Sequence, residues 1–166
     1  MSEIVIRGQE PEDIDAVGRI LAQPGVVPGT LQVPYTSLAS RHEYANSFSP
    51  DLHRLVAELG GQVIGSISLH VNPRPRRHHA ADLGMAVDER FQGRGIGSAL
   101  LTAAIDLADQ WLSIHRIELT VMCANAHAIR LYERHGFEIE GTLRDFSFTA
   151  GAYTDAYTMA RLRPVR

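Results

Sequence analysis

The chain contains no lysine: all 16 of its basic residues are arginine. This excludes a phosphate-binding loop of the NTPase kind, whose Gly-Lys-Ser/Thr needs a lysine on the phosphates. Cysteine is nearly absent as well. A single residue, Cys123, rules out an intrachain disulfide framework and fits a reducing compartment. No apolar run approaches the length of a membrane span. The segment Met1–Arg7 lacks the basic and apolar regions of a secretion signal, so a cytoplasmic location and no membrane partner are expected. A strong excess of one charge is also missing. The net charge of −3 offers no electrostatic footprint for nucleic acid. The one basic run, Arg74, Arg76 and Arg77, has no interleaved aromatics and reads as an exposed turn or a subunit contact.

What is present is ordinary in bulk and specific in detail. With 166 residues, 45% of them hydrophobic and 21% charged, one domain over residues 1–166 is expected, with a core of real size. Ile4–Arg7 reads as a short strand, and Pro11 with Glu12, Asp13 and Asp15 reads as a helix start. Gln23–Tyr35 is too rich in proline and glycine for a regular element. Its length marks a functional loop. A short helix is expected over Ser37–Ala45, then strands over Arg54–Leu59 and Gln62–His70 around the tight turn Gly60-Gly61. Further strands are expected over Ala80–Val87, Arg116–Val121, Phe137–Glu140 and Tyr153–Ala160.

The most informative stretch is Val87–Leu100. A strand end runs into Gln92-Gly93-Arg94-Gly95-Ile96-Gly97-Ser98, followed by a helix signalled by Ile96, Ala99, Leu100, Ala103, Ala104, Leu107 and Trp111. A helix start carries unpaired N–H groups and the positive end of the macrodipole, which suits a polyphosphate. Glycines there keep no Cβ between an anion and those donors. A dinucleotide fingerprint fits poorly, because Ser98 stands where the third glycine belongs and several strands come first.

The loop Gln92–Gly97 matches Q/R-x-x-G-x-G/A, and Asn125–Phe137 matches N-x-x-A-x-x-x-Y-x-x-x-G-F. In this order they resemble the two signatures of the GCN5-related N-acetyltransferase (GNAT) superfamily, and the likeness runs from Ile4 to Met159. Further segments are similar to the YhhY-type bacterial L-amino-acid N-acetyltransferases: Met1–Arg7, Thr30–Pro34, Arg74–Arg77, Arg116–Val121, Gly136–Thr142 and Asp155–Tyr157. The resemblance implies a mixed α/β GNAT fold. Its central, mostly antiparallel sheet has about seven strands and about four flanking helices, with splayed central strands and a bulge near Met85–Val87. It implies acetyl-CoA as co-substrate and transfer to the primary amine of a small acceptor, most simply the α-amino group of a free amino acid. A homodimer is a further expectation from the family.

Acyl transfer from a thioester to an amine requires the co-substrate to be held and the carbonyl polarised. It also requires a deprotonated amine and a protonated leaving thiolate. The resemblance assigns the first task to Gln92, Gly93, Arg94, Gly95, Ile96, Gly97 and Ser98, with Asn125 and Ala128. It assigns the second to backbone N–H groups at Met85, Ala86 and Val87, an oxyanion-hole arrangement. Tyr132 takes the position of the general acid, since a phenol is protonated at neutral pH. On position alone Tyr132 also reads as a core residue, sharing a helical face with Ala128 and Leu131. Asn125 reads equally as a helix N-cap.

The base stays open among Asp82, His79 and Glu43. Asp82 shares a strand face with Gly84 and Ala86, and burial of its carboxyl would raise its pKa. A salt-bridged aspartate is the competing reading of Asp82. Leu31, Pro34 and Tyr35 are candidates for the acceptor pocket, with Phe146 or Tyr153, against the plainer reading of a loop anchored on the core. Cys123 follows an apolar strand and reads as packing. His78-His79 point to opposite faces of a strand and chelate poorly, so no metal is expected. Competing functions are phosphinothricin-type or protein N-terminal acetylation and, outside catalysis, an acyl-CoA-binding sensor.

Overall fold

The computed structural model describes residues 3–45 and 49–165; Met1, Ser2, Arg166 and residues 46–48, just past the expected helix Ser37–Ala45, lie outside the described set. Its strands are β1 (Ile4–Gly8), β2 (Leu52–Leu59), β3 (Gln62–Val71), β4 (Ala80–Val87), β5 (Arg116–Met122), β6 (Glu138–Thr149) and β7 (Ala152–Leu162). Its helices are α1 (Ile14–Leu21), α2 (Leu38–Ala45), α3 (Ile96–Gln110) and α4 (Ala126–Arg134). The strands pair into one sheet in the order β1-β2-β3-β4-β5-β7-β6. This is the mixed, mostly antiparallel fold with four helices that the sequence implies.

Among the described residues only β4 and β5 pair in parallel, and a parallel pair needs a crossover, which α3 supplies. The pairing is short: Ala80↔Arg116, Ala81↔Ile117 and Asp82↔Glu118. Beyond Asp82 the two strands part. Each is still held on its other side, β4 by β3 as far as Val87 and β5 by β7 as far as Met122. The result is a gap in mid-sheet, walled by two rigid strands.

The register of β4 against β3 runs without a shift from Val71↔Ala81 to Gly65↔Val87. The bulge implied near Met85–Val87 is therefore not present in this pairing, and the gap opens because β5 diverges. A register shift does occur between β2 and β3, at Ala57/Glu58.

Helix α3 covers one face, where Leu100, Leu101, Ala104 and Ala108 meet Ile67, Leu69, Leu83, Ile117 and Leu119. On the other face Ile20 of α1 packs with Val56, Val63 and Ala86. Pro11 opens a short 3-10 turn, Pro11–Asp13, and the α-helix begins three residues later than expected. The Asp13 carboxylate accepts from Arg7 at 2.7 and 3.0 Å and from the Glu10 N–H at 2.8 Å, which fixes that turn. Trp111 caps the end of α3 and is exposed instead of extending its apolar face. Strand β6 runs far beyond Glu140. Its residues are mostly exposed and its pairing with β7 shifts register twice, so little apolar alternation marks it in sequence.

Helix α4 ends at a left-handed glycine. Gly136 has φ 86°, its N–H donates to Glu133 O at 3.1 Å, and the Phe137 N–H donates to Tyr132 O at 3.1 Å. This is a Schellman motif, and it aims Phe137 into the core. A Cβ at Gly136 would meet only ordinary contacts at 3.9 Å, so its cost is conformational. Gly136→Ala is expected to cost about 1–2 kcal/mol and to lower Tm by a few degrees in a thermal melt; an unchanged melt would refute the strain argument.

Candidate active site

The loop between β4 and α3 is built from short-range bonds. Asp88, buried at the end of β4, accepts from the Arg90 N–H at 2.9 Å and from its guanidinium at 2.7 and 3.1 Å. These bonds hold its carboxyl low, at about 2. Gln92 Nε2 donates to Val87 O at 3.1 Å and folds the loop back on the strand. Gly93 and Gly95 then take φ of 73° and 83°, a left-handed conformation with open space where a Cβ would stand. Gly95 is the N-cap of α3 and offers no side-chain acceptor, so the first N–H groups of α3 are left for a ligand. Gly97 serves packing: its Cβ would meet Leu131 at 3.1 Å and Met85 at 3.5 Å. Its absence lets α3, α4 and β4 converge.

Helix α4 follows β5. The Asn125 side chain accepts from the Ala128 N–H at 3.2 Å, which is the capping role. Its amide nitrogen faces Gly29 across the cleft, 3.5 Å from where a Cβ of that glycine would stand. Tyr132 is 8% exposed and its ring lies 5.7 Å from that of Phe137. Burial pushes its hydroxyl up to about 12. Among the described residues that hydroxyl takes no hydrogen-bond partner. His135 donates from Nδ1 to Leu131 O at 2.9 Å, and its Nε2 accepts from Ser98 at 3.1 Å, which ties the start of α3 to the end of α4.

Two cavities meet at the gap. One, of about 360 Å³, lies between β4, the glycine loop and α4, and is roofed by Gly29 and Thr30. That roof is pinned where the Gly25 N–H donates to Glu89 and the Glu89 N–H donates to Gln23, both at 2.9 Å. The other, of about 420 Å³, lies between α1, α2 and the sheet. Thr30, Met85 and Ala86 line both.

The structure brings Met85, Ala86, Val87, Gln92, Gly93, Gly95, Ile96, Gly97, Ser98, Asn125, Ala128 and Tyr132 to the first cavity. Arg94 is not among its lining residues; its guanidinium lies 5.3 Å from the centre of the Phe91 ring. Leu31, Pro34 and Tyr35 line neither cavity and are exposed, Leu31 at 68%. Their loop neighbours Thr30, Gln32 and Thr36 line the second cavity instead. Sequence reasoning missed His127 and Arg134 at the first cavity, and Gln9, Arg41, Arg54, Ser66 and Ser68 at the second. No short motif joins the latter five, since they come from four separate segments.

Asp82 lines neither cavity. It stands on β4 two residues before Gly84, which does, with His70 in register on one side and Glu118 on the other. Asp82 is exposed, not buried; partial desolvation still raises its pKa, and the Glu118 charge adds to that. Burial pushes Glu118 up too, but hydrogen bonds from Arg116 and Arg77 outweigh it and hold Glu118 low. His79 and Glu43 are exposed and line neither cavity.

A parted sheet with a glycine cradle at a helix start and a tyrosine beside the gap is the architecture of an acetyltransferase. The chain belongs to the acetyltransferase (GNAT) family, whose model matches residues 26–137. It is 46% identical over 165 residues to the L-amino acid N-acetyltransferase AaaT of Escherichia coli (strain K12), covering 98% of this chain and 100% of that one. To the spermidine N(1)-acetyltransferase of Vibrio cholerae it is 26% identical over 162 residues, covering 95% and 92%. The crystal structure of spermidine N-acetyltransferase from Vibrio cholerae in complex with CoA and spermine matches with a TM-score of 0.86 at 27% identity, covering 96% and 95%.

The cradle fits a polyphosphate-bearing co-substrate because its donors are uncapped and its glycines leave open space. Gly95→Ala places a Cβ in that space at φ 83°, a strain of about 1 kcal/mol or more. Acetyl-CoA affinity is expected to fall roughly fivefold or more, read by calorimetric titration, with a loss of Tm like that expected at Gly136. Equal affinity would separate the loop conformation from binding.

Proposed function

We propose that this chain acetylates the α-amino group of a free L-amino acid by direct attack in a ternary complex with acetyl-CoA. The observation that carries the reading is the junction of the two cavities. Met85, Ala86 and Thr30 belong to both, at the point where β4 loses β5. A donor entering from the loop side and an amine entering from the α1–α2 side therefore meet beside one stretch of strand. The 46% identity to an enzyme named for L-amino acids supports the acceptor class.

Acetyl-CoA supplies an acyl thioester and a thiolate leaving group. The chain's own groups do the rest. The α3 N-terminus, with Gly93, Gly95 and Gly97, holds phosphate oxygens through backbone donors and the helix dipole. Backbone N–H groups of Met85 and Val87, on the strand edge that β5 no longer pairs, polarise the thioester carbonyl, while in the unshifted register the Ala86 N–H turns to β3. Tyr132 holds a proton at its hydroxyl for the thiolate. With its pKa at about 12 it stays protonated over the whole working range. Asp82, reached through water, takes the amine proton. Its raised pKa brings a carboxylate closer to the basicity such a step needs.

Free-thiol release from acetyl-CoA over a panel of free L-amino acids, phosphinothricin, polyamines, an aminoglycoside and short peptides tests the acceptor class. Amino acids are expected to react, and a polyamine-only or peptide-only response would overturn the reading. Binding of acetyl-CoA with no thiol release from any amine would instead favour a sensor.

Tyr132→Phe is expected to lower kcat by about a hundredfold or more while the KM for acetyl-CoA holds; undiminished turnover removes Tyr132 as proton donor. In the native enzyme the rate is expected to fall as pH drops through the raised Asp82 pKa. Asp82→Asn should lower the rate and flatten that limb. The folded carboxyl holds its proton more tightly than the unfolded one, so its ionisation above the unfolded pKa costs stability. The same variant should therefore melt slightly higher at neutral pH. A pH–rate profile of unchanged shape would exclude Asp82 as the base.

A further inference from the structure

Resting on the amino-acid reading above, we infer that Arg41 anchors the acceptor's carboxylate. Arg41 is 7% exposed, and its side chain lines the α1–α2 cavity. A buried guanidinium ordinarily faces a carboxylate, because an unpaired charge away from water is costly. Arg41 has none among the described residues. Its Nη1 donates to Gln32 Oε1 at 2.7 Å, and its Nε is buried with no hydrogen-bond partner. Its Nη2 makes no hydrogen bond to another described residue. Nε and Nη2 are the two donors along one edge of the guanidinium. Arg90 grips the Asp88 carboxylate with that same pair, at 3.1 and 2.7 Å. The fork that a carboxylate fills elsewhere in this protein is left vacant by the protein at Arg41.

The placement is built rather than incidental. Gly18 in mid-helix α1 leaves room for the Arg41 stem: a Cβ there would stand 3.3 Å from Arg41 Cδ. Glycine weakens a helix interior, so this position favours the passage of Arg41 over helix strength. Gln32 then sets the rotation of the fork. Charge in the cavity points the same way. Arg41 and Arg54 line it, and no aspartate or glutamate among the described residues does. A polyamine would bring positive charges to two arginines with no acid to meet them. An amino acid brings one carboxylate for Arg41, and its amine is left to reach the junction at Met85 and Ala86. The cavity thus selects for a carboxylate and against a polycation.

The test compares the amino acid that reacts fastest in the panel with its own carboxamide, which keeps the amine and removes the negative charge. The native enzyme is expected to favour the acid in kcat/KM by roughly thirtyfold or more. Arg41→Met keeps an unbranched stem beside Gly18. It should reduce the acid-to-amide ratio towards one by raising the acid's KM, with the KM for acetyl-CoA and the amide's kcat/KM changing far less. Gln32→Ala, on a half-exposed loop, should raise the acid's KM several-fold even if Arg41→Met does not fold. A native ratio near one, or a ratio that survives both substitutions, overturns the assignment of Arg41 while acetylation of amino acids stands. A native enzyme that acetylates polyamines and no amino acid overturns both readings.

Discussion

Two neighbouring strands that pair for three residues and then separate set the terms for everything around them. Parallel β4 and β5 hold together from Ala80 to Asp82, and β3 and β7 keep each of them straight beyond that point. The backbone edges that face each other across the gap have donors and acceptors with no strand to pair with. A sheet tolerates this only where something else meets those groups, because an unpaired backbone group away from water is costly. The crossover helix between the two strands starts beside the gap, and α4 follows directly from β5. The parting therefore places two helix starts, two strand edges and Tyr132 around one opening.

Small residues and local bonds bring these parts close enough to act together. Gly97 allows α3 to approach Leu131 and Met85, and the Ser98–His135 bond joins the same two helices at the cradle. Asp88 and Gln92 fix the loop from the strand side through bonds that need no ligand. The cradle is thus largely formed in advance, which reduces the ordering that binding must impose. Tyr132 illustrates the cost and the use of burial at once. The desolvation that raises its pKa also keeps its proton available at any working pH.

Charge is divided between the two sides of the sheet's opening. At the β4–β5 pairing, Arg77 and Arg116 hold Glu118 ionised, and Asp82 beside it, partly desolvated and facing that charge, is the carboxyl whose pKa rises. On the α1–α2 side, arginine without acid gives a cavity of the opposite character. An acceptor carrying both an amine and a carboxylate matches that division, with its positive end towards the acid-bearing strand and its negative end towards Arg41. The spermidine enzymes share the fold at a TM-score of 0.86, so the backbone alone does not choose the acceptor. Side chains on α2 and the preceding loop are in a position to do so.

The cradle at Gln92–Ser98 and the α4 segment Asn125–Phe137 were legible in the sequence because their geometry is local. Positive φ at glycine, an asparagine cap and a Schellman end are all decided within a few residues. The order of strands and helices was legible for the same reason, through apolar spacing. The extent of β6 was not, since its residues are mostly exposed and carry no alternation. The residues of the acceptor cavity were not legible either. Leu31, Pro34 and Tyr35 are apolar residues of a conspicuous loop, yet they face solvent, while Gln32 between them turns inward to Arg41. By itself the sequence determined the family, the cradle and the tyrosine. Only the tertiary structure decided where the strands part, how Asp82 is perturbed and that Arg41 is buried without a counter-charge. Those three depend on segments far apart in the chain, and no local pattern encodes contacts made across such distances.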